Sequence, residues 1–295
     1  KVSYPTMFAL AGGRHLVYFR EAGHSSSWSY RITADNGRTW TGPENSVTNL
    51  DIYNHPEWSS YQAKSLSPDK KTLYVVFTDY DDVKSNDPER LYNPKYDMPV
   101  SNEWKYNLSL LKVDPDTHEV RNDAGELMKT PLDIETVREK CHIWNTEWRG
   151  AGVPPALCLD ENGYPAALHV LSEDNLQTHN YYYVRKVGDE WRKTVITASN
   201  HQWNSTCLLR DAKDRLHAYL VTGDSYMDRE GINYTHGGGR IEHWLSKDEG
   251  NTWKLYRDIT PDVARYPGWS FNNVQPVVRT DSTVVDGMLV FYGWL

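Results

Sequence analysis

An all-β chain folded as repeated four-stranded antiparallel blades, a β-propeller, is what this sequence of 295 residues predicts, and three observations predict it. An octapeptide recurs, TADNGRTW at Thr33 to Trp40 and SKDEGNTW at Ser246 to Trp253. Short aromatic and β-branched runs alternate with turns rich in Gly, Ser or Asp from one end to the other. The whole pattern returns about every 45 to 60 residues, the span of one four-stranded blade.

Taken in order, Tyr4 to Ala11, His15 to Ala22 and Trp28 to Ala34 read as three strands of a first blade, closed by the octapeptide. Both copies fit [Ser/Thr]-x-Asp-x-Gly-x-Thr-Trp. In such a turn the Asp carboxylate bonds nearby backbone N–H groups, Gly takes the positive φ and Trp returns to pack beneath. SSYQAKSL, TLYVVFTD and YNLSLLKVD form a second blade; GVPPALCLD, PAALHVLSE and NYYYVRKVG a third; STCLLRD, LHAYLVTG and RIEHWLSKD a fourth. NNVQPVVRT and MLVFYGWL begin a fifth. The blades fall near 4–50, 58–130, 150–198, 204–260 and 272–295, within a single domain spanning 1–295. LDIETVREK, 132–140, is the one stretch of helical character and reads as an insertion between blades two and three. Because residue 4 already starts an inner strand and residue 295 ends a second one, the expectation is an incomplete ring, cut from a longer parent of seven blades or completed by strands from another segment.

Composition narrows the function. A net charge of −8 without any Lys/Arg run argues against nucleic acid, which is bound through clustered basic surface. No apolar stretch approaches the length of a membrane-spanning helix, and the first residues, KVSYPTMFAL, lack the features of a signal peptide. Twelve Trp and twenty Tyr against five Phe favour rings with a polar handle, which pack sheets and line sugar clefts. Cys141, Cys158 and Cys207 are odd in number and widely spaced, so they read as buried free thiols, with one disulfide left open.

Blade logic sorts side chains by face. Entry segments of inner strands and loops joining second to third strands share the ligand-binding end, while the octapeptide turns point to the periphery. Tyr4 opens an inner strand, Arg20 closes its antiparallel neighbour and His24 follows in the loop, so all three are expected at one solvent-facing hairpin end. Glu21 is the alternative partner for Arg20. Tyr61, Trp58, Arg149, His179 and Asn180 are candidate substrate-binding residues on the same rule, although Arg149 could instead pair with Glu147. Asp79, Asp81 and Asp82 read as a solvated loop or a cluster able to hold a structural Ca²⁺ through carboxylate oxygens.

The octapeptide is the Asp box, or bacterial neuraminidase repeat. With it, YPTMFALAGGRHLVYFREAGHSSSWSYRITADNGRTW followed by SYQAKSLSPDKKTLYVVFTD resembles the Asp-box propellers that include ulvan lyases and some bacterial rhamnosidases. The resemblance implies an active-site Tyr at an inner-strand start and an Arg about sixteen residues on, positions matched by Tyr4 and Arg20. It also implies a histidine pair from a neighbouring blade, which this chain lacks if an N-terminal part of its parent is missing. The implied chemistry is β-elimination at a uronic acid residue: Arg20 neutralises the carboxylate, His24 takes the C5 proton and Tyr4 donates or accepts at the leaving O4. Glycoside hydrolysis with Asp79, Glu21 or His24 is the second reading. The sialidase pattern fails, because Arg31-Ile32 is followed by Thr33 rather than Pro. A non-catalytic sugar-binding propeller is the third. The expected partner is an anionic polysaccharide, met by a secreted or periplasmic monomer without redox or organic cofactor, away from nucleic acid and membrane.

Overall fold

In the computed structural model, the first aromatic runs pair as an antiparallel sheet of β1 (Ser3–Ala9), β2 (His15–Arg20) and β3 (Trp28–Thr33). The described residues are 2–23, 26–50, 58–81, 92–99, 104–175, 178–223, 237–262, 264–279 and 283–294. They divide into two compact units, one of residues 1–148 with 278–283 and one of residues 149–277 with 284–295.

In the first unit, bridges from Thr41 to Ile32 and from Thr48 to Trp28 lay the following segment along β3. The second sheet holds β4 (Trp58–Leu66), β5 (Leu73–Asp81), β8 (Lys105–Val113), β9 (Val120–Arg121) and β10 (Leu127–Met128), with β11 (His142–Trp144) also on β8. Between β5 and β8, β6 (Tyr92–Asn93) and β7 (Met98–Pro99) form a small hairpin. The expected helix is α1 (Ile134–Lys140), started where Asp133 accepts the Thr136 N–H and buried through Ile134 and Val137.

In the second unit, β12 (Gly150–Ala151) precedes a four-stranded sheet of β13 (Ala156–Leu159), β14 (Pro165–Ser172), β15 (His179–Val187) and β16 (Glu190–Ser199). A second four-stranded sheet comprises β17 (Thr206–Arg210), β18 (Leu216–Thr222), β19 (Arg240–Ser246) and β20 (Lys254–Asp258). β21 (Ser270–Val278) and β22 (Val284–Trp294) pair as a hairpin. Sequence-consecutive antiparallel strands in sheets of four are the blades the repeats predict. Among the described residues no helix is long and apolar enough to cross a membrane.

The turns carry the repeat. Asp35 accepts from the Thr39 N–H (2.9 Å), the Thr39 hydroxyl (2.6 Å) and the Thr33 hydroxyl (2.8 Å), while Trp40 Nε1 donates to Gly37 O (3.0 Å). Asp248 accepts from Thr252 N (2.9 Å), the Thr252 hydroxyl (2.6 Å) and the Ser246 hydroxyl (2.8 Å), and Trp253 Nε1 donates to Gly250 O (3.2 Å). Gly37 and Gly250 take φ of +85° and +77°, the left-handed region that excludes most side chains. The tryptophans differ, since Trp253 packs edge-on against Tyr183 whereas Trp40 stays half exposed.

Each unit has its own core. Leu16, Tyr18, Trp28, Tyr30, Val75 and Phe77 lie at its heart in the first. Leu168, Val170, Tyr181, Leu216 and Leu220 do so in the second, with a satellite cluster around Val221, Ile241 and Phe271. The three cysteines are free thiols, and burial pushes each up to about 12.

Candidate active site

Tyr4 sits in a bulge. The pairing of β1 with β2 shifts between Ser3 and Thr6, and Tyr4 takes a φ of +52°. A left-handed tyrosine costs roughly 1–2 kcal/mol, and strain of that kind concentrates at functional sites. The irregularity lays its ring over the end of β2, where Arg20 pairs with Ser3 on one side and Trp28 on the other. The Arg20 guanidinium lies 4.8 Å from the Tyr4 ring centre, 5.2 Å from Tyr61 and 5.8 Å from Trp28.

The stack continues into the second sheet. Tyr61 meets Tyr4 edge-on at 5.6 Å and Tyr80 at 5.3 Å. Between Tyr61 and Tyr80 lies the Lys105 ammonium, 4.7 and 4.6 Å from the two rings. Strand parity explains the assembly: Tyr61 stands opposite Thr78 and Tyr80 opposite Lys105, so the three share one face of the sheet. Tyrosines and cations therefore alternate as Tyr4, Arg20, Tyr61, Lys105, Tyr80. Arg20 and Lys105 are 2% and 1% exposed, whereas Tyr4 is 51% exposed, so solvent meets a phenol with the Arg20 cation beneath it. Burial, and then the Tyr4 phenol through its charge and a hydrogen bond, push the Tyr61 phenol up to about 12 against the pull of Arg20, so Tyr61 stays protonated.

Several expectations are corrected here. Arg20 was to face solvent; it lies under Tyr4, because the bulge folds the phenol across it. Glu21 accepts a hydrogen bond from Ser46 (3.4 Å). Trp58 is fully buried, with the Arg138 guanidinium 4.4 Å from its ring, so no ring face is left for a sugar. Asp79 is neither a solvated loop residue nor a fitting calcium ligand: it is buried in β5, accepts from Asn107 Nδ2 (2.9 Å) and pairs with Arg138 Nε (3.4 Å). A guanidinium already at a carboxylate repels a further cation. Burial opposes ionisation of Asp79, but His142, Arg138 and Asn107 outweigh it and hold the carboxyl below its usual range. His24 and Asp82 lie outside the described residues, as does the side chain of Asp81.

The second unit gathers other candidates. Arg149 lies 3.8 Å from Glu173 rather than pairing with Glu147, which takes Lys95 at 2.6 Å. Asn180 Nδ2 donates to Glu173 Oε1 (2.8 Å), as does the Tyr182 hydroxyl. His179 is buried at the start of β15. Sequence reasoning missed Glu173 and Lys105. Lys105 was findable, since a lysine opening a third strand lies at the same end as the close of the second.

A family model described as "BNR repeat-containing family member" matches residues 1–199. The chain belongs to that family. No curated protein matches the sequence. Among solved structures, this BNR-repeat protein is similar to a PL25 ulvan lyase, with a TM-score of 0.68 at 16% identity over 88% of this chain and 56% of that one. A complex of a PL25 ulvan lyase with -[GlcA(1-4)Rha3S]- gives 0.66 at 16% identity, with the same coverage. The polysaccharide lyase Uly1 gives 0.58 at 15% identity over 99% of this chain and 55% of that one. These likenesses show the fold, all-β and of propeller type. The chain spans little more than half the length of those lyases.

Proposed function

We propose that this BNR-repeat protein is a carbohydrate-active enzyme, a lyase that cleaves uronic-acid-containing polysaccharide by β-elimination. The observation that carries the reading is the solvent-exposed Tyr4 phenol stacked on the buried Arg20 guanidinium, with Lys105 behind it. Likeness in fold to the ulvan lyases supports it.

Removing the proton at C5 of a uronate leaves enolate-like charge on the adjacent carboxylate. A fixed positive field at that carboxylate lowers the barrier because it needs no reorganisation during reaction. A carboxylate seated on Tyr4, roughly 6 Å from the guanidinium, gains about 3 kcal/mol from Arg20 at an effective dielectric constant near 20. The C5–H bond breaks, the C4–C5 double bond forms, the C4–O4 bond breaks and O4 leaves with a proton. Tyr4 is the exposed group that donates or accepts that proton, and Tyr61, held protonated, donates a hydrogen bond to the anion. His24, four residues after Arg20 in the sequence, is proposed as the base. Anionic polymers of this kind lie outside cells, so the enzyme is proposed to act there, as a monomer.

Incubation with polyuronate-containing polysaccharides tests the reading. New ultraviolet absorbance from unsaturated uronate supports it. Reducing ends without that absorbance identify a hydrolase, and retention on the polymer with neither product identifies a binding module.

A further inference from the structure

Lys64 differs from the exposed lysines among the described residues. It lies on β4 three residues beyond Tyr61 and so on the opposite face of the strand. Its ammonium nitrogen is 5.5 Å from the centre of the Tyr18 ring and 4.9 Å from that of Trp28, both fully buried rings. Its hydrogen bond goes to the Gln62 carbonyl (3.1 Å), and among the described residues no carboxylate pairs with it. The residue nevertheless keeps part of its surface in solvent.

We infer that Lys64 is a nucleophilic amine that captures a carbonyl compound, an aldehyde such as the open-chain reducing end of a sugar, as an imine. A lysine desolvated among rings and lacking a carboxylate counter-ion is disfavoured as the ammonium ion, and desolvation is the usual way a Schiff-base lysine is activated. Desolvation lowers its pKa to about 7, in keeping with that geometry. The amine lone pair attacks the carbonyl carbon and the C–N bond forms. The carbonyl oxygen then leaves as water, taking both amine hydrogens, and C=N remains without oxidation or reduction. The product suits the slot: the neutral imine needs no counter-ion among the faces of Tyr18 and Trp28, whereas an anionic adduct such as a carbamate would be repelled by them.

The test is reductive trapping. The protein is treated at pH 7 with glycolaldehyde and cyanoborohydride, and adducts are located by peptide mass mapping at low conversion. Lys64 is expected to be labelled at least about ten-fold faster than the exposed Lys70, Lys71 and Lys193, because ordinary ammonium groups are more than about 99% protonated at that pH. The fast adduct is expected to be absent from Lys64→Arg. Labelling of Lys64 no faster than the exposed lysines, or its absence, overturns the inference. The wild-type map decides the matter even where the variant fails to fold.

Discussion

The Arg20 guanidinium lies 4.8 Å from the centre of the Tyr4 ring, under a phenol that is itself half exposed. Tyr4 and Arg20 were both expected to face solvent; here only Tyr4 does. In the proposed elimination Tyr4 meets the ligand, while Arg20 supplies charge from below in a setting where water screens it less.

Arg20→Lys separates charge from shape. Lysine keeps the positive charge but not the planar stack on Tyr4, Tyr61 and Trp28. Elimination activity is expected to fall about ten- to a hundred-fold, mainly in kcat, with folding retained. Steady-state kinetics beside a thermal melt checks this. Unchanged kinetics would mean that charge alone suffices.

The glycines of the two repeated turns are predicted to differ. A Cβ on Gly250 would lie 2.2 Å from the buried Tyr183 ring, whereas one on Gly37 meets only Trp40 at 3.4 Å. Gly37→Ala should cost about 1–2 kcal/mol from the positive φ alone. Gly250→Ala should cost several kcal/mol, because Tyr183 cannot yield. Urea unfolding of both variants measures the difference.

Buried histidines predict acid sensitivity. Burial holds His169 down to about 3, and burial with His217 nearby holds His243 down to about 4. Both lie below the ordinary value near 6.5, so the unfolded chain binds protons that the folded one refuses. The stability this confers is complete above pH 6.5 and is lost as pH falls, down to about 4 for His243 and about 3 for His169, by about 1.4 kcal/mol per pH unit for each group. Unfolding free energies at pH 7.5 and pH 5 test the slope, and His169→Leu should flatten it.

The thiols should be silent. With each pushed up to about 12 by burial, Cys141, Cys158 and Cys207 are expected to resist a thiol-reactive dye in the native state at pH 8. All three should react after denaturation.

Local chemistry was legible in the sequence and packing was not. The turns at Asp35 and Asp248 were readable because every atom that satisfies the carboxylate comes from within a few residues. The α1 start at Asp133 was readable for the same reason. The meeting of Tyr4 with Arg20 followed from one hairpin's register. The end of the sheet at which Lys105 lies was readable from strand order, but its place against Tyr61 and Tyr80 depended on the register of β8 on β5 across residues 82–104, which nothing local announced. Asp79 looked solvated beside Asp81 and Asp82 in the chain. It was buried by Arg138, which reaches it from a helix 59 residues away.

Tyr4→Phe tests the central claim most directly, because it removes one exposed hydroxyl and leaves the stack on Arg20 in place. Assayed on a polyuronate that the wild type cleaves, the variant is expected to lose about a hundred-fold or more in the rate of ultraviolet-absorbing product, with an unchanged melting temperature. A rate equal to that of the wild type would contradict the account and move the reacting group elsewhere.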